Sequence, residues 1–327
     1  MRQTRVALVL GATGGIGGEL ARALLARGWR VRALHRNAVR QAANQPASQP
    51  DDRIEWLQGD AMVAADVATA AMGAELLVHA VNPPGYRRWA ALVLPMLDNS
   101  IAAASTSGAR IVLPGTVYNY GPDAFPEPAE TSPQHPVTRK GAIRAEMEQR
   151  LRAAGAEGVR SLVVRAGDFF GPRAANNWFS QGLVKPGQPL RSVSYPGRRG
   201  VGHQWAYLPD LAEATLRLHE REARSEPFET FHFAGHWDPD GTAMVAAIRR
   251  VAGDPTLPER RFPWALLTMA APFVTTLREM MEMRYLWRMA LRMDNARLVR
   301  AIGAEPHTPL DEAVRATLAG LGCLPLT

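Results

Sequence analysis

The residues with the clearest chemical capacity lie near the start of the chain, where Gly11-Ala-Thr-Gly-Gly-Ile-Gly17 follows directly on Arg5-Val-Ala-Leu-Val-Leu10. An apolar run, a glycine turn and a helix start are the parts of an anion cradle. Gly11 permits the tight turn, Gly14 lets backbone N–H groups approach a phosphate with no Cβ in the way, and Gly17 lets the helix lie close on the strand. The positive end of the new helix then points at the anion. Glu19 to Gly28 reads as that helix with its glycine stop, and Trp29 to Leu34 as a second strand. Such a loop inside a βαβ unit of this length predicts dinucleotide binding, with the pyrophosphate on the glycines.

The elements that must hold this loop alternate along the chain. Ile54–Leu57, Glu75–Ala80, Arg110–Pro114 and Ser161–Arg165 read as the third to sixth strands, and Phe231–Ala234 as a seventh. Trp89 to Ser105 reads as a helix kinked at Pro95, and Thr138 to Ala153 as a charged amphipathic helix. Gln41 to Asp52, rich in Gln, Pro, Ser and Asp, reads as an exposed loop. Short apolar strands alternating with helices predict an α/β fold, a Rossmann-type doubly wound parallel sheet with ligands outside the carboxyl ends of its strands. Residues 1–236 are expected to form this dinucleotide-binding domain, with substrate-side insertions around 172–204, and residues 237–327 a smaller, mostly helical lobe. Six of the twelve methionines fall between Met269 and Met293, together with Trp264, Phe273, Tyr285 and Trp287. Methionine adapts to irregular apolar shapes, so this segment either packs a core or closes over an apolar substrate or partner.

Composition excludes several classes. A single cysteine, Cys323, rules out an internal disulfide framework and a cysteine-based metal cluster, and suits a reducing cytoplasm; no metal site is expected. The first strand begins too close to Met1 for a signal peptide. The charge-free stretch Phe262–Leu277 is broken by Pro263 and Pro272 and is shorter than the roughly 20 residues of a bilayer span. These features predict a soluble, cytoplasmic protein. The net charge is +7 and the pI about 10.1. The basic residues are scattered, in pairs such as Arg87-Arg88, Arg198-Arg199 and Arg260-Arg261, with no basic arm and no aromatic-basic interleaving, so no nucleic-acid partner is expected. Membrane association is not expected either; its weaker case is peripheral contact through residues 262–291, with arginines meeting anionic lipid.

Further motifs follow the strands: Gly59-Asp60, Thr116-Val-Tyr-Asn-Tyr-Gly121, Val164-Arg-Ala-Gly-Asp-Phe-Phe-Gly-Pro172 and Trp205-Ala-Tyr-Leu-Pro-Asp210. With the glycine loop and in this order, they resemble the short-chain dehydrogenase/reductase superfamily, in its extended or atypical branch of NAD(P)-dependent epimerases, dehydratases and reductases, over nearly the whole chain. The resemblance implies a cofactor loop of Gly11, Thr13, Gly14, Gly15, Ile16 and Gly17, and an adenine contact at Asp60. It also implies that Ala80 and Asn82 run along the cofactor and that Asp168 lies near the nicotinamide, as a candidate base or as the cap of its own turn. Arg36, 19 residues after Gly17, stands where an acidic residue would bind a ribose 2′-hydroxyl. With Arg32 and His35 beside it, an arginine there favours the 2′-phosphate of NADP(H), with NAD(H) as the alternative.

The same resemblance fails at the chemistry. Family members use a tyrosine and, four residues later, a lysine; aligned on Pro136 to Arg144, this chain places Lys140 and Arg144 there. The helper serine or threonine falls near Pro114, with Gly115 and Thr116 next to it. The spacing keeps both cations on one helix face. Arg144 could hold the ribose hydroxyls but cannot act as an acid. Lys140 is either the proton donor or a solvated lysine at a helix start. Tyr120 is another candidate acid, less constrained than Tyr118, which is expected to pack in the fold; His79 reads as a buried, hydrogen-bonded histidine. The expectation is an NADP(H)-binding oxidoreductase or epimerase-like enzyme. It would act on a carbonyl or hydroxyl of a small, partly apolar substrate with a nonstandard proton donor. The alternative is a non-catalytic NADP(H)-binding regulatory or assembly protein. A homodimer is implied by analogy only.

Overall fold

Ala7 to Leu10 are apolar and buried on both faces, which makes β1 (Val6–Leu10) a central strand. In the computed structural model, which describes residues 4–44, 54–83, 89–174, 176–221, 226–272 and 274–324, β1 is followed by α1 (Gly15–Leu25), β2 (Arg30–His35), α2 (Ala38–Ala43), β3 (Glu55–Gln58), α3 (Ala64–Ala71), β4 (Leu76–His79) and α4 (Trp89–Ser107). Next come β5 (Arg110–Thr116), α5 (Arg139–Ala156), β6 (Ser161–Ala166), β7 (Asp168–Phe170), β8 (Val193–Tyr195), β9 (His203–Tyr207), α6 (Leu208–His219) and β10 (Phe228–Phe233). The chain ends with β11 (His236–Asp238), α7 (Ala243–Ala252), β12 (Glu259–Arg261), α8 (Trp264–Ala270), α9 (Thr275–Glu282), α10 (Ala296–Ile302) and α11 (Leu310–Gly320). Two compact units interleave in sequence: residues 1–115, 143–164 and 212–231 form the first, and 116–142, 165–211 and 232–327 the second.

The first unit carries a seven-stranded parallel sheet in the order β10-β6-β5-β4-β1-β2-β3. Val6 pairs with Arg30 on one side and Ala7 with Leu76 on the other, both in parallel register. The chain steps outward from β1 to β3, then crosses back to β4 on the far side of β1. That reversal falls between β1 and β4, and the carboxyl ends of strands at such a reversal are where sheets of this kind take ligands. Leu8, Leu10, Leu34 and Leu77 pack with Val67 and Ala70 of α3 in one core cluster. Ile111, Leu113 and Val163 pack with Val93 and Leu97 of α4 and Met147 and Leu151 of α5 in another. In both helices the paired positions are four apart, so one stripe faces the sheet. The doubly wound architecture expected from the alternating pattern is therefore present.

Some local expectations change. Residues 41–43 belong to α2, and 45–52 lie outside the described residues. Helix α4 runs on through Pro95 to Ser107. Four three-residue strands, β7, β8, β11 and β12, were not expected. In the second unit β7 and β9 pair in parallel and β9 and β11 antiparallel, while β8 pairs with β12. Phe170, Phe179, Trp205, Trp287, Ile248 and Val314 lie in the core that joins these ribbons to α7 and α11. The Met-rich segment divides: Met283, Met293 and Trp287 are buried, whereas Leu266 and Met269 are exposed. Among the described residues no helix is long and apolar enough to cross a membrane.

One buried charge in the first unit makes a test of this packing. Arg110 is fully buried and donates to Glu229 Oε2 at 2.5 Å. Glu229→Ala leaves that guanidinium unpaired and should lower the unfolding free energy by about 3–5 kcal/mol. The double variant Arg110→Met, Glu229→Leu should recover most of the loss in urea denaturation. Additive losses would show that the pair is not what holds this edge.

Candidate active site

The first unit gathers its candidate residues at the carboxyl ends of β1, β2, β4 and β5. Gly11 has φ +92°, and a Cβ there would lie 2.4 Å from the Ala80 carbonyl oxygen; one on Gly17 would lie 2.3 Å from the carbonyl oxygen of Gly11. The loop thus closes only without side chains at Gly11 and Gly17, and Thr13 and Gly14 form its exposed tip. No side chain caps α1, so its first-turn N–H groups are left to an anion. Gly15 and Ile16 form that first turn. These are the features a dinucleotide pyrophosphate needs.

The neighbouring positions are more specific. Arg32 donates to the carbonyls of Ala70 and Met72 and pairs with Glu55, and His35 Nδ1 accepts from the Asn37 N–H. Arg36 is exposed, its carbonyl held by Gln58 at 2.7 Å and its guanidinium without an ion pair among the described residues. Arg40, four residues on, is likewise exposed and was missed by the sequence reading; a second arginine beyond the second strand was its only signal. Asp60 turns its carboxylate onto the Met62 N–H at 2.9 Å, while its own N–H donates to Asp66.

Past β4, Asn82 Oδ1 accepts from Trp89 Nε1 at 2.6 Å, and the Arg144 guanidinium lies 5.6 Å over the Trp89 ring. Arg144 also donates to the Pro114 carbonyl at 3.5 Å, and its Nε is buried with no partner among the described residues. Ala80, Asn82 and Arg144 thereby converge on the end of the sheet that the glycine loop occupies. His79 is buried with Nδ1 2.8 Å from Ser100 Oγ, as expected. Burial, with Arg144 adding to it, pushes its pKa down to about 3, so the ring is neutral near pH 7.

In the second unit Lys140 occupies the first turn of α5. Thr138 Oγ1 accepts from the Gly141 N–H at 3.0 Å, an N-cap bond, and the Lys140 N–H donates to Glu282 Oε1 at 3.2 Å. Gly141 has to lack a Cβ, which would lie 2.2 Å from the Tyr118 carbonyl oxygen. The solvated lysine is therefore set aside, because Lys140 is 4% exposed. Tyr120 is also corrected: far from being the less constrained phenol, it is fully buried. Its hydroxyl meets His232 Nε2 and the Ala129 carbonyl and receives a short hydrogen bond from Arg165. Tyr118 is half-buried and packs beside the cluster of Val117, Met283 and Leu286. Thr116 donates to Asn119 Oδ1 at 2.6 Å. Asp168 does not cap its turn; it accepts from His203 Nε2 at 2.8 Å. His203 was not singled out from the sequence, although it sits two residues before Trp205, the register partner of Asp168.

The sequence profile of the NAD dependent epimerase/dehydratase family matches residues 7–234. No curated protein matches the chain. Among solved structures, a candidate epimerase from Burkholderia cenocepacia J2315 is similar at 21% identity and a TM-score of 0.73, over 99% of this chain and 100% of that one. The UDP-glucose 4-epimerase of Bifidobacterium longum, in complex with NAD+ and UDP, is similar at 15% identity and 0.70, over 97% of each chain. The UDP-glucuronic acid 4-epimerase of Bacillus cereus, in complex with UDP-glucuronic acid and NAD, is similar at 13% and 0.73, over 97% and 98%. At such identities the likeness is one of fold.

The His79 environment gives a pH test. The folded ring protonates near pH 3, the unfolded one near the ordinary histidine value of 6.5. Between those values the unfolded chain binds more protons, so this contribution to stability is complete above pH 6.5 and is lost as pH falls toward 3. In urea denaturation from pH 7 to 4.5, His79→Asn should flatten the loss by up to about 1.4 kcal/mol per pH unit. An unchanged slope would show that His79 is not titrating as described.

Proposed function

The chain belongs to the NAD dependent epimerase/dehydratase family, and we propose that it binds NADP(H) at the glycine loop and moves a hydride between that cofactor and a carbonyl or carbinol carbon of a small, partly apolar molecule. The observation that carries this reading is the side-chain-free junction at Gly11 and Gly17 beneath an uncapped α1. Asp60, Ala80 and Asn82 are assigned to the adenosine and ribose path, and Asp168 to the substrate end. Two structures of the same fold hold NAD. The phosphorylated form is favoured for this chain by the exposed Arg36 and Arg40 at the end of β2, with no acidic residue from His35 to Arg40.

When bound, the cofactor supplies or accepts the hydride at its nicotinamide ring. The protein's part is to bind, orient and manage a proton. Arg144, permanently protonated, is assigned to hold ribose hydroxyls with the nitrogen that lacks a partner. Lys140 is assigned as the donor that protonates the oxygen of the reduced carbonyl, and as its acceptor in reverse. Tyr120 has no such role, because its hydroxyl is committed to buried partners. The replacement of the usual tyrosine and lysine also favours a second reading, NADP(H) binding without turnover by a regulatory or assembly protein.

Two measurements separate these readings. In fluorescence titrations Arg36→Asp should weaken NADPH at least tenfold and NADH less than about twofold, the loss of a charge-assisted hydrogen bond. Equal losses count against a 2′-phosphate contact. With a panel of aliphatic and alicyclic carbonyls, Lys140→Met should cut NADPH oxidation about a hundredfold at unchanged NADPH affinity. Tight NADPH binding by the native protein with no turnover on the panel would favour the second reading.

A further inference from the structure

Helix α8 of the second unit is apolar on its inner and its outer side. The inner side is anchored. Trp264 Nε1 donates to the Pro196 carbonyl at 2.8 Å, and its ring lies 5.9 Å from Trp178 at the border of the unit's core. Ala271, at the end of the helix, is buried. The outer side is bare: Leu266 is 60% exposed and Met269 68%, with Ala265 exposed beside them. At 3.6 residues per turn these three positions span an arc of about 100° on the side away from Trp264. Thr268 turns its hydroxyl onto the Trp264 carbonyl at 2.7 Å. A helix at a water surface normally carries charge on its outer face, yet residues 262–277 carry none.

The charges stand at the borders of this face. Between residues 260 and 292 the chain has six arginines and two glutamates, with no lysine and no aspartate. Arg260 and Arg261 end β12 just before α8, Arg278 lies on α9, and Arg288 and Arg292 follow it. All five are exposed, and none is in an ion pair among the described residues. The sixth, Arg284, lies 5.1 Å over the Trp264 ring, and Thr268 Oγ1 is 3.8 Å from Met281 Sδ, so α8, α9 and the turn after them form one surface. Glu282 is half-buried and takes the Lys140 N–H. A second copy docking by this same face would set the arginines against their own counterparts. A nucleic acid would meet the cations and leave Leu266 and Met269 in water. An anionic bilayer meets both, with phosphates for the guanidinium groups and the acyl boundary for the side chains between them. At seven residues, roughly 10 Å, α8 is far too short to span a bilayer and would lie in the headgroup plane. We propose that the α8–α9 surface docks the protein on an anionic lipid bilayer, with Leu266 and Met269 entering the acyl boundary and the bordering arginines on lipid phosphates. This is independent of the cofactor assignment, because the glycine loop belongs to the first unit.

The test sediments the full-length protein with vesicles of phosphatidylglycerol and phosphatidylcholine in about equal parts, and with phosphatidylcholine alone. At about 0.1 M NaCl the mixed vesicles should bind it at least tenfold more tightly, and about 0.5 M NaCl should remove most of that difference. Leu266→Ser with Met269→Ser should weaken binding to the mixed vesicles about tenfold, which a merely basic protein would not show. Arg260→Gln with Arg261→Gln should weaken it by a similar factor. All four side chains are exposed, so both double variants should keep the native thermal unfolding midpoint. The inference is overturned if the protein stays in the supernatant with mixed vesicles, if both vesicle types bind it equally, or if either folded double variant pellets like the native protein. A dimer in sedimentation velocity that the serine pair dissolves, with no vesicle binding, would give the face to a second copy and overturn it as well.

Discussion

Everything on the ligand edge of the first unit depends on three backbone segments that meet too closely for any side chain between them. The end of β1, the start of α1 and the residue after β4 touch at Gly11, Gly17 and Ala80, with space for hydrogen but not for carbon on either glycine. That contact sets where α1 begins and therefore where its unsatisfied N–H groups point. It also fixes the path of the chain after β4, from which Asn82 reaches Trp89 and Trp89 lies under Arg144. A methyl group at the junction would move all of these together. The functional groups most often compared between related proteins are, in this unit, downstream of a steric fact about the main chain.

The large sheet was legible in the sequence because its signal is local and repeated. Each central strand is a run of apolar residues flanked by a turn, so β1, β2, β4, β5 and β6 could be placed within a residue or two. The glycine loop was legible for the same reason. The second unit hid its structure because β7, β8, β11 and β12 are three residues long, too short to show alternation. Tyr120 was misjudged because its burial is created by Arg165 and His232, 45 and 112 residues away in the chain. The Asp168–His203 pair is invisible for a related reason: only the parallel register of β7 with β9 brings the two side chains to one place. The solvated alternative for Lys140 rested on a helix start, where exposure is the usual outcome, and the neighbouring segments at Tyr118 and Glu282 override it.

The surplus of positive charge resolves into groups with different duties. Arg110 and Arg165 are fully buried and held by Glu229 and by Tyr120 with the Glu130 carbonyl. Arg27, Arg150 and Arg250 sit in surface ion pairs that contribute little individually. Arg144 is wedged between Trp89 and Pro114 with hydrogen-bonding capacity to spare. Arg36 and Arg40 face solvent. A pI near 10 therefore describes dispersed cations rather than one basic patch, and the informative positive charges are the few whose bonding is incomplete.

The sheet order places β10, residues 228–233, outside β6 at the rim of the first unit, and the two units exchange the chain repeatedly before that strand is reached. During synthesis from the amino end, β6 waits as an open edge while more than sixty residues pass, most of them destined for the second unit. Exposed parallel strands of this kind are where a nascent chain can pair with a neighbour instead of itself. The interleaving thus ties the closing of the dinucleotide sheet to the emergence of nearly three quarters of the polypeptide. Any shortened form ending before Phe228 forfeits the rim, however complete its glycine loop.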